Sequence, residues 1–138
     1  MPIRILTAAF LYFAIVFVVG FALGPIRVLA LTPRLGAAVA TLCEAPFLIL
    51  AMVAAARWVP VKLKVSMSPA SLAAVGIEAL ILQQAADFTV GLALRGIRAV
   101  DQLHYLVTPA GLVYLTMLVA FAAMPCLVRR RGQPISRP

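Results

Sequence analysis

A chain of 138 residues that is 64% hydrophobic, 12% charged and of mean hydropathy +1.10 lacks the polar surface a soluble core needs, since soluble domains carry about 25% charged residues. The composition excludes an ordinary soluble domain and points to one compact polytopic membrane unit. The net charge of +8 does not indicate nucleic acid, because the basic residues stand at the ends of apolar runs and no basic-aromatic surface interleaves them.

Four apolar runs lie at about 5–24, 35–56, 70–94 and 111–128. Each is near the ~20 residues a helix needs to cross ~30 Å of hydrocarbon. Lipid offers backbone groups no hydrogen bonds, so each run is expected to be a helix. The predicted fold is an all-α membrane protein, a four-helix transmembrane bundle over 1–128 followed by a basic cytoplasmic tail over 129–138. The first run exceeds a signal-peptide core and is read as a retained span. Thr32-Pro33, Ser68-Pro69 and Thr108-Pro109 precede the second, third and fourth runs. A hydroxyl can cap orphan N–H groups, and proline at the first helical position loses no bond, so these pairs predict helix starts.

Arg4, Arg57, Lys62, Lys64, Arg129, Arg130, Arg131 and Arg137 fall on one side of the four spans. Arg27, Arg34, Arg95 and Arg98 fall on the other, eight against four. The positive-inside rule therefore predicts cytoplasmic N and C termini. Trp58, beside Arg57, suits an inner-face anchor, and His104 and Tyr105 suit the outer interface.

Residues 17–27 ("FVVGFALGPIR") match 88–98 ("FTVGLALRGIR") at seven of eleven positions. This suggests an internal repeat: two parallel helical hairpins related by a pseudo-two-fold axis along the membrane normal. Arg27 and Arg98 would then occupy equivalent places just past the outer ends of spans one and three.

An ionisable residue inside a span is costly and is a functional candidate by default. Three of the four acidic residues lie in spans: Glu44, Glu78 and Asp87. Glu44, about 16 Å into the second helix at 1.5 Å per residue, precedes Pro46, which predicts a kink there. Gln83, Gln84, Asp87 and Gly91 share one face of the third helix, and Arg98 returns to that face if the helix continues. The candidate intramembrane polar site is therefore Glu44, Asp87, Gln83, Gln84, Arg27 and Arg98. Glu78 lies half a turn away from Asp87 and is read as structural, pairing with Lys62 or Lys64. Arg34 and Arg95 are further candidates for structural ion pairing. Gly20 and Gly24 form a GxxxG that suits close helix packing.

Cys43 and Cys126 lie in apolar runs without a Cys-x-x-Cys, which favours two buried packing residues over a thiol oxidoreductase. His104, the only histidine, has no metal-ligand cluster or nucleophile motif near it. No catalytic residue, metal or cofactor is expected.

The stretch "GFALGPIRVLALTPRLGAAVATLCEAP" followed by "AARW" (20–58) resembles an uncharacterised family of small four-span proteobacterial inner-membrane proteins. The resemblance implies a multi-pass protein of a bacterial inner membrane and brings no activity with it. The chain has the size of small multidrug transporters, whose essential glutamate stands in the first span, where this chain has no acidic residue. Two function classes follow. One is a structural or accessory bundle within a homo-oligomer or larger membrane complex, its carboxylates paired with Arg27, Arg34, Arg95 or Arg98. The alternative is a small oligomeric transporter or channel using Glu44 and Asp87. The lipid bilayer is the common partner of both.

Overall fold

The computed structural model describes residues 2–66 and 68–132, and these are almost entirely helical. Helix α1 (Pro2–Ile26) runs through a π-helical turn (Arg27–Leu31) into a short helix α2 (Thr32–Leu35). Then come α3 (Ala37–Lys62), α4 (Pro69–Ala93), the seven-residue α5 (Ala99–Tyr105) and α6 (Pro109–Gly132). Four stretches are long and apolar enough to cross a membrane: Ile3–Leu35, Ala37–Lys62, Pro69–Ala93 and Pro109–Val128. The protein is thus a multi-pass membrane protein built as a compact helical bundle. Phe10, Leu29, Leu50, Trp58, Ile81 and Val119 are among many large apolar side chains left exposed on it, as expected of helices whose outer faces meet lipid. Thr7, Thr41, Thr89 and Thr116 return their hydroxyls to the carbonyl four residues earlier, so none needs water.

Two of the three predicted helix starts are seen. Ser68 Oγ accepts from Ser71 N at 3.2 Å, with Pro69 opening α4. Thr108 Oγ1 accepts from Gly111 N at 3.1 Å, with Pro109 opening α6. Thr32-Pro33 is different. It lies in the last turns of the first span, and the break falls instead at Gly36, whose φ of +84° suits glycine. In the π turn Thr32 N–H bonds to Arg27 O; this five-residue spacing widens the helix just before Pro33, which has no N–H to offer. Helix α3 passes through Pro46 without interruption. At its end, Lys64 takes a left-handed turn with φ +53°. Helix α6 carries residues 129–132 of the basic tail as helix. The remainder of the tail, with Arg137, lies outside the described residues.

Around the bundle, α1 packs against α3 and α4, and α6 packs against the same two. Each hairpin is therefore intact, α1 with α3 and α4 with α6, and the two lie side by side. A two-fold axis along the membrane normal would set α1 and α4 at opposite corners; here they are neighbours. The predicted pseudo-two-fold is not present in the packing. The repeated segments also differ in backbone. The first is helix continuing into a π turn, whereas the second leaves the helix after Ala93 and turns at Gly96, φ +61°.

The close-packed core fills the half of the bundle nearer the α3–α4 connection. It joins Ala8, Ala9 and Tyr12 of α1 to Met52, Ala55, Ala56 and Val59 of α3, Val75 and Ala79 of α4, and Phe121 and Met124 of α6. Tyr12 and Phe121 stack across the diagonal, with ring centroids 4.7 Å apart and planes 10° from parallel. Pro125 has no N–H for the carbonyl of Phe121, four residues before it. The Tyr12 hydroxyl donates to that carbonyl at 2.7 Å. A proline-freed carbonyl on one helix is thus satisfied by a side chain from the opposite corner. Tyr12→Phe leaves this acceptor unpaired in a dry interior and is expected to cost about 1–3 kcal/mol, read from thermal unfolding in detergent; an unchanged midpoint would mean that the bond contributes nothing.

A close backbone approach between α4 and α6 uses Gly76, where a Cβ would collide with the carbonyl of Ala122. Gly20 and Gly24 are not used this way. A Cβ on Gly24 would meet nothing within 4 Å, and one on Gly20 would meet only Leu48 at 3.5 Å. They border open space instead. Cys43 is exposed on α3 rather than buried, while Cys126 is partly buried with Sγ 3.8 Å from Pro69 O.

Candidate functional site

Above the Tyr12–Phe121 layer the four long helices diverge around a cavity of about 740 Å³. Its lower wall includes Val16, Met52 and Phe121, and residues of α5 contribute at the other end. Most of the wall is apolar. Two polar constellations interrupt it, one between α1 and α3, the other between α4 and α6.

The first is an ion pair. Helix α3 begins at Ala37, so Glu44 is only about 10 Å along it, less deep than the apolar run suggested. This brings Glu44 level with Arg27, the first residue of the π turn. Arg27 Nε lies 2.8 Å from Glu44 Oε2, with the side chains 23% and 8% exposed. The Nε hydrogen has no aligned acceptor, so the contact is coulombic rather than a linear hydrogen bond. In a low-dielectric interior that attraction is strong, and each charge is tolerable only because the other is there.

The second constellation is a clamp. Gln83 Nε2 donates to Asp87 Oδ1 at 2.9 Å along one face of α4. Tyr114 of α6 donates its hydroxyl to Asp87 Oδ2, and Gln84 Nε2 donates to Tyr114 Oη at 3.1 Å. The i, i+4 spacing of Gln83 and Asp87 sets the first bond; the second requires α6 alongside. Gln83 Oε1 is buried and has no donor. Gly91, on the same wall, has no side chain, and the amide of Gln102 from α5 occupies the place where its Cβ would stand.

No family model matches the chain, and no curated protein or solved structure matches it.

Of the residues singled out from sequence, Arg27, Glu44, Gln83, Gln84 and Asp87 line this one cavity. Arg98 does not. The helix that would have returned it to the face of Asp87 ends at Ala93, and Arg98, 82% exposed, pairs with Asp101 at 3.1 Å. Arg95 lines the cavity but is exposed. Neither it nor Arg34 forms an ion pair among the described residues. Glu78 does not pair with Lys62 or Lys64. Both lysines are exposed near the end of α3, while Glu78 lies about 14 Å into α4, with Oε2 buried and unpartnered. No group of three or more His, Cys, Asp or Glu suited to a metal occurs among the described residues.

Sequence reasoning missed Tyr114 and Tyr12. The available signal was weak: each is a tyrosine inside an apolar run, and a buried tyrosine hydroxyl usually has a partner.

Proposed function

We propose that this protein is an accessory bundle of a bacterial inner membrane, with both termini cytoplasmic, that works within a homo-oligomer or larger membrane complex. The observation that carries this reading is the Arg27–Glu44 pair. Glu44, the buried intramembrane carboxylate, is neutralised inside the chain and nearly closed to solvent. The cavity also ends on the Tyr12–Phe121 stack, so it does not cross the bundle. The bacterial inner membrane rests on the family resemblance of residues 20–58 and on the positive-inside count. The internal repeat belongs with it as common ancestry of two hairpins whose backbones have since diverged.

The transporter reading has one observation in its favour, the cavity itself, which brings Glu44 and Asp87 to one space. Proteoliposome flux separates the two. Vesicles holding the purified protein are expected to leak protons and potassium no faster than empty vesicles. Flux above that level that falls in both Glu44→Gln and Asp87→Asn overturns the accessory reading.

A further inference from the structure

One carboxylate in the cavity wall has no cationic partner among the described residues. Three carboxylates line the cavity, Glu44, Asp87 and Asp101, against two guanidinium groups, Arg27 and Arg95. Glu44 and Arg27 cancel one another, and Asp101 is paired with Arg98 outside the lining. Arg95 is exposed. Asp87 is left with two neutral donors, Gln83 and Tyr114, and no cationic side chain paired with it among the described residues. A partly buried carboxylate without a counter-charge is costly and is ordinarily paired.

The surroundings state what kind of partner fits. Phe17, Phe21, Phe88, Tyr105, Tyr114 and Phe121 stand in the wall of the same cavity, and aromatic faces attract cations as well as apolar groups. The space suits a small organic molecule, being within the ~300–1,000 Å³ of typical ligand sites. It is larger than a bare metal ion needs and carries no metal-ligand cluster among the described residues. Gly20 and Gly24 keep parts of the wall free of side chains.

We propose that the cavity is a binding site for an amphipathic organic cation, an aromatic or alkyl amine. Its ammonium group pairs with Asp87, and its apolar body lies among the aromatic side chains. The site does not depend on whether the protein moves solute across the membrane: binding without flux leaves the accessory reading intact and makes the bundle ligand-responsive.

The test uses the full chain in lipid nanodiscs and 2-(1-naphthyl)ethylamine as probe, with binding read by fluorescence anisotropy and isothermal titration. Saturable one-to-one binding is expected. The matching alcohol, which lacks the positive charge, and the matching carboxylate should each bind at least tenfold more weakly. Asp87→Asn keeps the size of the side chain and removes the charge, and is expected to weaken the amine at least tenfold. Gly24→Leu places a side chain where nothing lies within 4 Å of the new Cβ. It should occupy cavity space without disturbing the polar groups, and reduce binding of all three probes. Lys62→Gln, exposed at the far end of α3 and outside the cavity, should leave binding unchanged. Equal affinity for amine and alcohol, tighter binding of the carboxylate, undiminished binding in a folded Gly24→Leu protein, or no saturable binding of the amine would each overturn the proposal.

Discussion

Arg27→Gln is expected to destabilise the protein by about 3–5 kcal/mol, the usual cost of removing one partner from a buried ion pair. The reason lies less in the lost attraction than in what remains. Glu44 is 8% exposed and has Arg27 as its ionic partner; without that guanidinium its charge has no counter-ion in a medium that solvates it poorly. Glu44→Gln alone strands the cation instead, but at a smaller cost, because Arg27 is 23% exposed and its long side chain can reach toward the interface. The double variant, Arg27→Gln with Glu44→Gln, leaves neither charge and should recover most of the loss. Thermal unfolding of all four proteins in the same detergent closes the double-mutant cycle. Additive losses would show that the 2.8 Å contact does not couple the two residues.

Gly76→Val has the second large effect, through shape rather than charge. The Cβ would land on the carbonyl of Ala122. A flexible side chain could swing aside, but a helix backbone cannot, so α4 and α6 must separate. Overpacking typically costs about 1–3 kcal/mol, and about 3 kcal/mol is expected here because rigid backbone is the obstacle. The separation should also loosen the Tyr114–Asp87 clamp, which spans the same two helices. Gly24→Ala is the control. Its Cβ meets open space, and the better helix propensity of alanine should stabilise α1 by about 0.5–1 kcal/mol. Melting curves in one detergent compare the two. A Gly76→Val protein as stable as its parent would mean that α4 and α6 are not in backbone contact.

These two positions differ in how readily the sequence disclosed them. Glu44 was conspicuous because a carboxylate in an apolar run must be satisfied by something. Gly76 was not, because a glycine in a membrane helix can serve packing, a kink or open space with the same local sequence. The GxxxG at Gly20 and Gly24 had the stronger motif and the weaker contact: those glycines border the cavity, and the tight approach belongs to a glycine outside that motif. Arg27 and Arg98 end similar stretches of sequence and have unlike surroundings. One continues along a helix toward Glu44, and the other follows a left-handed glycine into solvent.

Four spans, two of the three Ser/Thr-Pro helix starts and the residues with polar needs inside the spans can be read along the chain. Each follows from a local cost, an unsatisfied backbone group or a charge in hydrocarbon, that can be counted along the chain without knowing its neighbours. That α1 lies beside α4, that Tyr12 serves the carbonyl freed by Pro125 and that Tyr114 completes the partners of Asp87 emerge from the packing. Those outcomes depend on which helix faces meet. Hydropathy does not distinguish one apolar face from another; side-chain shape and the few hydrogen bonds between helices do.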